Sequence, residues 1–74
     1  MGWKTFLWND DVNTFDHVIL TLQKVVHCKV EEANKMALIV HTEGKAVVYE
    51  GHRERCEAVA EALNAYGLNA TIAQ

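Results

Sequence analysis

The 74-residue chain contains no proline, no low-complexity tract and no internal repeat, so nothing in it marks a linker or a second unit, and we expect one domain over residues 1–74. It has no apolar run of membrane-spanning length and no leader with a basic start and an apolar middle, so no membrane partner is expected. Met1-Gly2 reads as a bare start with almost nothing ahead of the first strand. Cysteine is scarce: Cys28 and Cys56 stand far apart and form no CxxC. A small secreted fold would carry a dense, even framework, so the chain reads as reduced and intracellular. Positive charge is thin as well. The seven basic residues (Lys4, Lys24, Lys29, Lys35, Lys45, Arg53, Arg55) are scattered, and the net charge is −3. Nucleic acid needs a clustered basic face, so it is not expected as a partner.

Chemistry is missing too. No GxxxxGK[ST] cradles a phosphate, and no nucleophile stands with a base and an orienting third group, so an enzyme is not expected. His27-Cys28 and the pair His52 and Cys56 offer metal-ligand types, but neither pair has a familiar ligand spacing. Cys56 also falls on an inward stripe, where a thiol behaves as a small hydrophobe. We expect no metal and no cofactor.

What is present is a regular succession of elements. Trp3 to Trp8, rich in aromatic and β-branched residues, predicts a strand. Thr14 is a plausible N-cap for a helix carrying Phe15, Val18, Ile19, Leu22, Val25 and Val26 at spacings of three and four. His27-Cys28-Lys29 breaks that stripe. A second helix is predicted from about Val30 to Thr42, its apolar face formed by Val30, Ala33, Met36, Ala37 and Val40, with Gly44 ending it. Lys45 to Glu50 predicts a strand. Arg53 to Ala65 predicts a helix with Cys56, Val59, Ala60 and Leu63 inward, Gly67 ends it, and Leu68 to Ala73 predicts a last strand. The fold class is α+β, in the order β-α-α-β-α-β. A chain this short buries only about 60–65% of its unfolded surface, so one sheet covered on one face by helices is the economical layering, and any binding site is a shallow cleft.

The densest polar feature is Asn9-Asp10-Asp11, between the aromatic strand and the first helix. Asp and Asn make turns and cap helices, which accounts for such a cluster in structural terms. Only one side chain is needed for a cap, however, and Asn13 and Thr14 lie nearer the helix. Asn9 and one aspartate therefore keep spare acceptor capacity. His41 has a similar double reading: it compensates the dipole at a helix end, or accepts a hydrogen bond at a cleft mouth. If the first two helices pack side by side, Phe15 and Val18 face Ala37 and Val40, and His41 and the acidic turn flank an apolar pocket. Such a pocket suits an ammonium with a hydrophobic neighbour. An α-amino group, with a pKa of about 7.7–8.0, is largely charged at neutral pH and costly to bury without acceptors.

Three motifs carry a family resemblance: NDD at Asn9 to Asp11, LQK at Leu22 to Lys24, and VHTEGKA at Val40 to Ala46. NDD alone says little, but NDD with VHxxGKA about thirty residues later resembles the bacterial ClpS adaptor family over essentially the whole chain. The resemblance implies a three-stranded antiparallel sheet packed on one face by three helices. It also implies a non-enzymatic adaptor that binds the free α-amino group and the bulky first side chain (Phe, Tyr, Trp or Leu) of N-degron substrates. The adaptor delivers them to an AAA+ Clp unfoldase–peptidase, and its partner there is the N-terminal domain of a ClpA- or ClpC-type unfoldase. Residue by residue, Asn9, Asp10 or Asp11, and His41 match positions that hold the α-amino group. Asn13, Phe15, Val18, Ala37, Val40 and Leu68 match the side-chain pocket, and Glu54 matches a position that docks on the unfoldase. A monomer in the cytoplasm is implied, with the plastid stroma as the alternative, and an interaction module that docks without N-degron binding is the alternative function.

Departures from the family pattern concentrate in the pocket. Many relatives carry Thr at the Asn13 position and Met at the Phe15 and Ala37 positions. The methionine at the Ala37 position acts in relatives as a gate against β-branched side chains, so a shifted selectivity is implied. Relatives also use an extension ahead of the first strand for delivery, whereas the 74 residues here begin almost at that strand.

Overall fold

In the computed structural model, which describes residues 2–74, strand β1 (Trp3–Trp8) shows the alternation expected of a half-buried strand. Thr5 and Leu7 turn inward and are fully buried, while Lys4, Phe6 and Trp8 take the opposite face. Met1, read above as part of a bare start, lies outside the described residues. The remaining elements are α1 (Phe15–Val26), α2 (Val30–Glu43), β2 (Lys45–Gly51), α3 (Arg53–Ala65) and β3 (Asn69–Ala73). β1 is the central strand of an antiparallel sheet in the order β2-β1-β3. This is the three-stranded sheet with three helices that the residue patterns predict.

Local chemistry sets the element ends. Thr14 caps α1, its Oγ1 accepting the His17 N–H at 3.1 Å. His27, at φ 61°, closes that helix, and its N–H donates to the Gln23 carbonyl. Gly44, at φ 92°, closes α2, with its N–H on Val40 O; a left-handed turn of this kind favours glycine. Along β2 the pairing shifts between Thr5 and Phe6, so Phe6 faces Val47 and Thr5 faces Tyr49. The extra residue of this bulge, Val48, is buried in the core.

The helices cover one face of the sheet. Leu7, Leu22, Val40, Val59, Leu63 and Leu68 form the centre of the core, and the Thr5 hydroxyl ties β1 to α3 by donating to Cys56 O at 2.9 Å. Cys56, Val59, Ala60 and Leu63 are all buried, as the spacing of the third helix predicts. Val30 departs from the predicted apolar face. It is half exposed at the first position of α2, and burial begins one turn later at Ala33. Phe15, at the start of the apolar stripe of α1, is 40% exposed and walls a pocket, as the side-by-side packing of the first two helices predicts. Among the described residues, no helix is long and apolar enough to cross a membrane.

Candidate functional site

The segment between β1 and α1 is held at both ends by glycine turns. At one end the Asn9 N–H donates to Gly44 O at 2.9 Å, which continues the strand pairing past Trp8 to the end of α2. At the other the Asn13 side-chain amide donates to Gly67 O, also at 2.9 Å. Between them Asp10 forms an Asx turn: its Oδ1 accepts the N–H groups of Val12 and Asn13 at 2.9 and 2.8 Å, and its Oδ2 accepts the Asn13 amide at 2.9 Å. Asp10 is therefore committed to the loop. The Asn13 backbone N–H, then the Asn13 side-chain amide, hold its carboxyl below the ordinary value of 3.8, against the opposing effect of partial burial.

The neighbours of Asp10 are not so committed. Among the described residues, the side chains of Asn9, Asp11 and His41 have no hydrogen-bond or ion-pair partner. They converge on one open pocket of about 410 Å³. Asn9, Asp10, Asp11 and Asn13 reach it from the loop, Phe15 and Val18 from α1, and Ala37, Val40 and His41 from α2. Ala37 and Val40 are nearly inaccessible and form its floor. Helical spacing explains the arrangement: Phe15 and Val18 lie three apart on α1, while Ala37, Val40 and His41 follow one ridge of α2. The chemistry is that of acceptors at the mouth and hydrocarbon below.

Two residues matched by resemblance are not among the lining of this pocket. Leu68 is buried and lines an adjoining hollow of about 20 Å³, which shares Asn9, Asp10, Asn13, Val18 and Val40 with the pocket and adds Leu7 and Trp8. That hollow has room for about one water. Glu54 is exposed on the first turn of α3, beside a different surface concavity shared with His52, Arg55 and Ala58. Three contacts around the site were not anticipated from the residue pattern. They are the Gly67 carbonyl under Asn13, the His17 Nε2–H donating to Tyr66 O at 3.0 Å, and the Trp8 indole donating to Thr71 Oγ1 at 2.8 Å. The first two use the carbonyls of Tyr66 and Gly67, the C-cap and the residue after it, just past the end of α3; Gly67 carries the only sequence signal among them, and that signal marks a helix end rather than an anchor.

The two cysteines lie outside the pocket. Burial pushes the Cys28 thiol up, so it is a poor nucleophile at neutral pH, and Cys56 is enclosed by the core. Among the described residues no three His, Cys, Asp or Glu gather closely enough to hold a metal ion.

The family model of the ATP-dependent Clp protease adaptor protein ClpS matches residues 1–71. The ClpS adapter protein of Mycobacterium tuberculosis (strain H37Rv) is 43% identical over 73 residues, covering 99% of this chain and 72% of that protein. The ClpS adapter protein of Corynebacterium diphtheriae is 38% identical over 74 residues, covering 100% and 66%. Among solved structures, Agrobacterium tumefaciens ClpS2 bound to L-phenylalaninamide is similar with a TM-score of 0.88 and 26% identity, over 96% of this chain and 93% of that one.

Proposed function

This chain belongs to the ClpS family of ATP-dependent Clp protease adaptor proteins, and we propose that its open pocket receives the first residue of N-degron substrates, for transfer to an AAA+ Clp unfoldase. One observation carries the proposal: three acceptor side chains, Asn9, Asp11 and His41, stand without partners at the mouth of an apolar pocket. An α-ammonium group has three N–H donors and one positive charge. The Asn9 carbonyl oxygen, the Asp11 carboxylate and a neutral His41 nitrogen supply three lone pairs, one of them charged. The first side chain then descends between Phe15 and Val18 on one side and Ala37 and Val40 on the other. That a relative of this fold binds L-phenylalaninamide, a molecule with a free amine and a benzyl group, supports this division. Asn13 and Asp10 shape the wall and rim. Glu54, exposed on α3 and outside the pocket lining, is left to meet the N-terminal domain of a ClpA- or ClpC-type unfoldase while the pocket is filled. The matched relatives named above are bacterial, which favours the cytoplasm over a plastid stroma as the place of action.

The enclosed group is small and the pocket open, so the affinity is expected to be micromolar, about −8 kcal/mol. The direct test is fluorescence anisotropy with two labelled peptides that differ only in the first residue, Phe or Ser. Micromolar binding of the first and none of the second is expected; equal binding would remove the apolar pocket from the mechanism.

A second expected outcome concerns the pocket floor. With Ala at position 37 the wall opposite Phe15 lacks the reach of a longer side chain, leaving room beside the Cβ of an incoming residue. Ala37→Met is expected to weaken Val- and Ile-initiated peptides by about tenfold relative to Phe, the scale of one or two methylenes in an apolar pocket. Competition binding with the three peptides measures it. An unchanged ratio would show that Phe15 already closes the space.

A further inference from the structure

The rim loop is held by its own Asx turn and by a tie to the far end of the fold. Asn13 sits where the loop becomes helix, and its side-chain amide carries two hydrogens, each with a partner: Asp10 Oδ2 and Gly67 O, both at 2.9 Å. Its backbone N–H reaches Asp10 Oδ1 at 2.8 Å. One residue thus closes the Asx turn from two sides and joins it to a segment 54 positions away in sequence. One turn along α1, His17 Nε2 donates to Tyr66 O at 3.0 Å. A carbonyl can only accept, so this nitrogen carries the proton. Residues 13 and 17, four apart, therefore grip two consecutive carbonyls at the end of α3. The hold on the other side of the loop, Asn9 N–H on Gly44 O, is backbone alone.

Few side chains can do what Asn13 does. Ser and Thr have one donor, Asp has none, and a hydrocarbon of the same size has none. Gly67 supports the contact by its backbone: at φ +87° it is in the left-handed region, and the space around its missing Cβ holds only Asn13 Oδ1, at 4.0 Å. Conformation rather than crowding calls for glycine there.

We infer that Asn13 is a positioning residue, whose amide fastens the amine-receiving rim to the Tyr66–Gly67 turn and so holds Asn9 and Asp11 over the pocket mouth. This rests on the pocket reading given above. Asn13 then contributes little to the choice among first side chains and much to the affinity for any of them. The α3–β3 turn becomes a working part of the site although it lines none of it.

Asn13→Leu tests the inference, because it keeps nearly the volume and drops both donors; Asn13→Ala repeats the loss with a smaller side chain. Dissociation constants for Phe-, Trp- and Leu-initiated peptides are expected to rise together by about tenfold in both variants, the scale of one charge-assisted hydrogen bond network lost at a rim. Amide exchange at Val12 and at position 13 should accelerate, with exchange in α2 and β1 unchanged. His17→Ala, outside the pocket, should shift the same three constants together by a smaller factor. Wild-type affinity in Asn13→Leu, or a change confined to one peptide with loop exchange unchanged, would overturn the inference and make Asn13 a wall residue. If the unaltered chain binds none of the peptides, the pocket reading falls on its own, and loop exchange alone decides whether Asn13 fastens the rim.

Discussion

Acetylating the α-amino group of a Phe-initiated peptide is expected to reduce its affinity for this protein by at least about a hundredfold. Acetylation removes the positive charge and two of the three N–H donors, and it places a carbonyl oxygen among groups that are themselves acceptors. In the proposed mode Asn9, Asp11 and His41 would offer the incoming group lone pairs, and none of their side chains is engaged elsewhere among the described residues. A hydrogen bond to a charged group contributes about 1.5–3 kcal/mol, and each 1.4 kcal/mol is a factor of ten. Losing two such bonds gives about two to four decades. The apolar part of the ligand is untouched, so the difference isolates the amine. Isothermal titration of the free and acetylated peptides at one pH measures it. Equal affinities would remove the amine from recognition, and unfoldase binding without any free-amine peptide binding would leave a docking module of the same fold.

How much of this was legible before folding depends on distance along the chain. Aromatic and β-branched enrichment in Trp3–Trp8 and three-and-four spacing in α1 and α3 are local, and the elements follow them closely. Gly44 and Gly67 mark helix ends because a left-handed residue is a local requirement. The pocket's walls were legible for a related reason: two consecutive helices joined by a short loop pack side by side, so Phe15 and Val18 line one pocket with Ala37 and Val40. Other features depend on tertiary placement. Leu68 is buried and reaches only the small hollow that adjoins the pocket, a placement set by the α3–β3 turn arriving from across the fold. Val30 has the right helical phase and the wrong end of the helix. No spacing rule could separate Asp10 from Asp11, since which one bends back onto the loop depends on the backbone between Asn9 and Asn13. The Gly67 carbonyl that Asn13 needs is supplied from across the fold.

Separating the two aspartates gives the second large effect. Asp11→Ala is expected to weaken a Phe-initiated peptide by about thirtyfold, near the lower end of what truncating one partner of a hydrogen-bonded charge pair costs. Its stability should stay within about 0.5 kcal/mol of the parent, because the Asp11 side chain holds nothing in the fold among the described residues. Asp10→Ala should lower both quantities. It removes the acceptor of three hydrogen bonds, and a lost cap-like turn costs about 1 kcal/mol. Acid separates the roles further. The folded protein lowers the Asp10 carboxyl below its ordinary 3.8, so the turn's contribution is fully present above that value and disappears as pH falls through the lowered one. The Val12 and Asn13 amide resonances should therefore hold steady from neutral pH down to the ordinary carboxylate range and move only in stronger acid, and Asp10→Asn should abolish that movement. Urea titration and peptide binding on the two alanine variants complete the comparison. If Asp11→Ala destabilises the fold while Asp10→Ala only weakens binding, the roles are reversed: the free carboxylate at the pocket mouth is Asp10, and the Asx turn belongs to its neighbour.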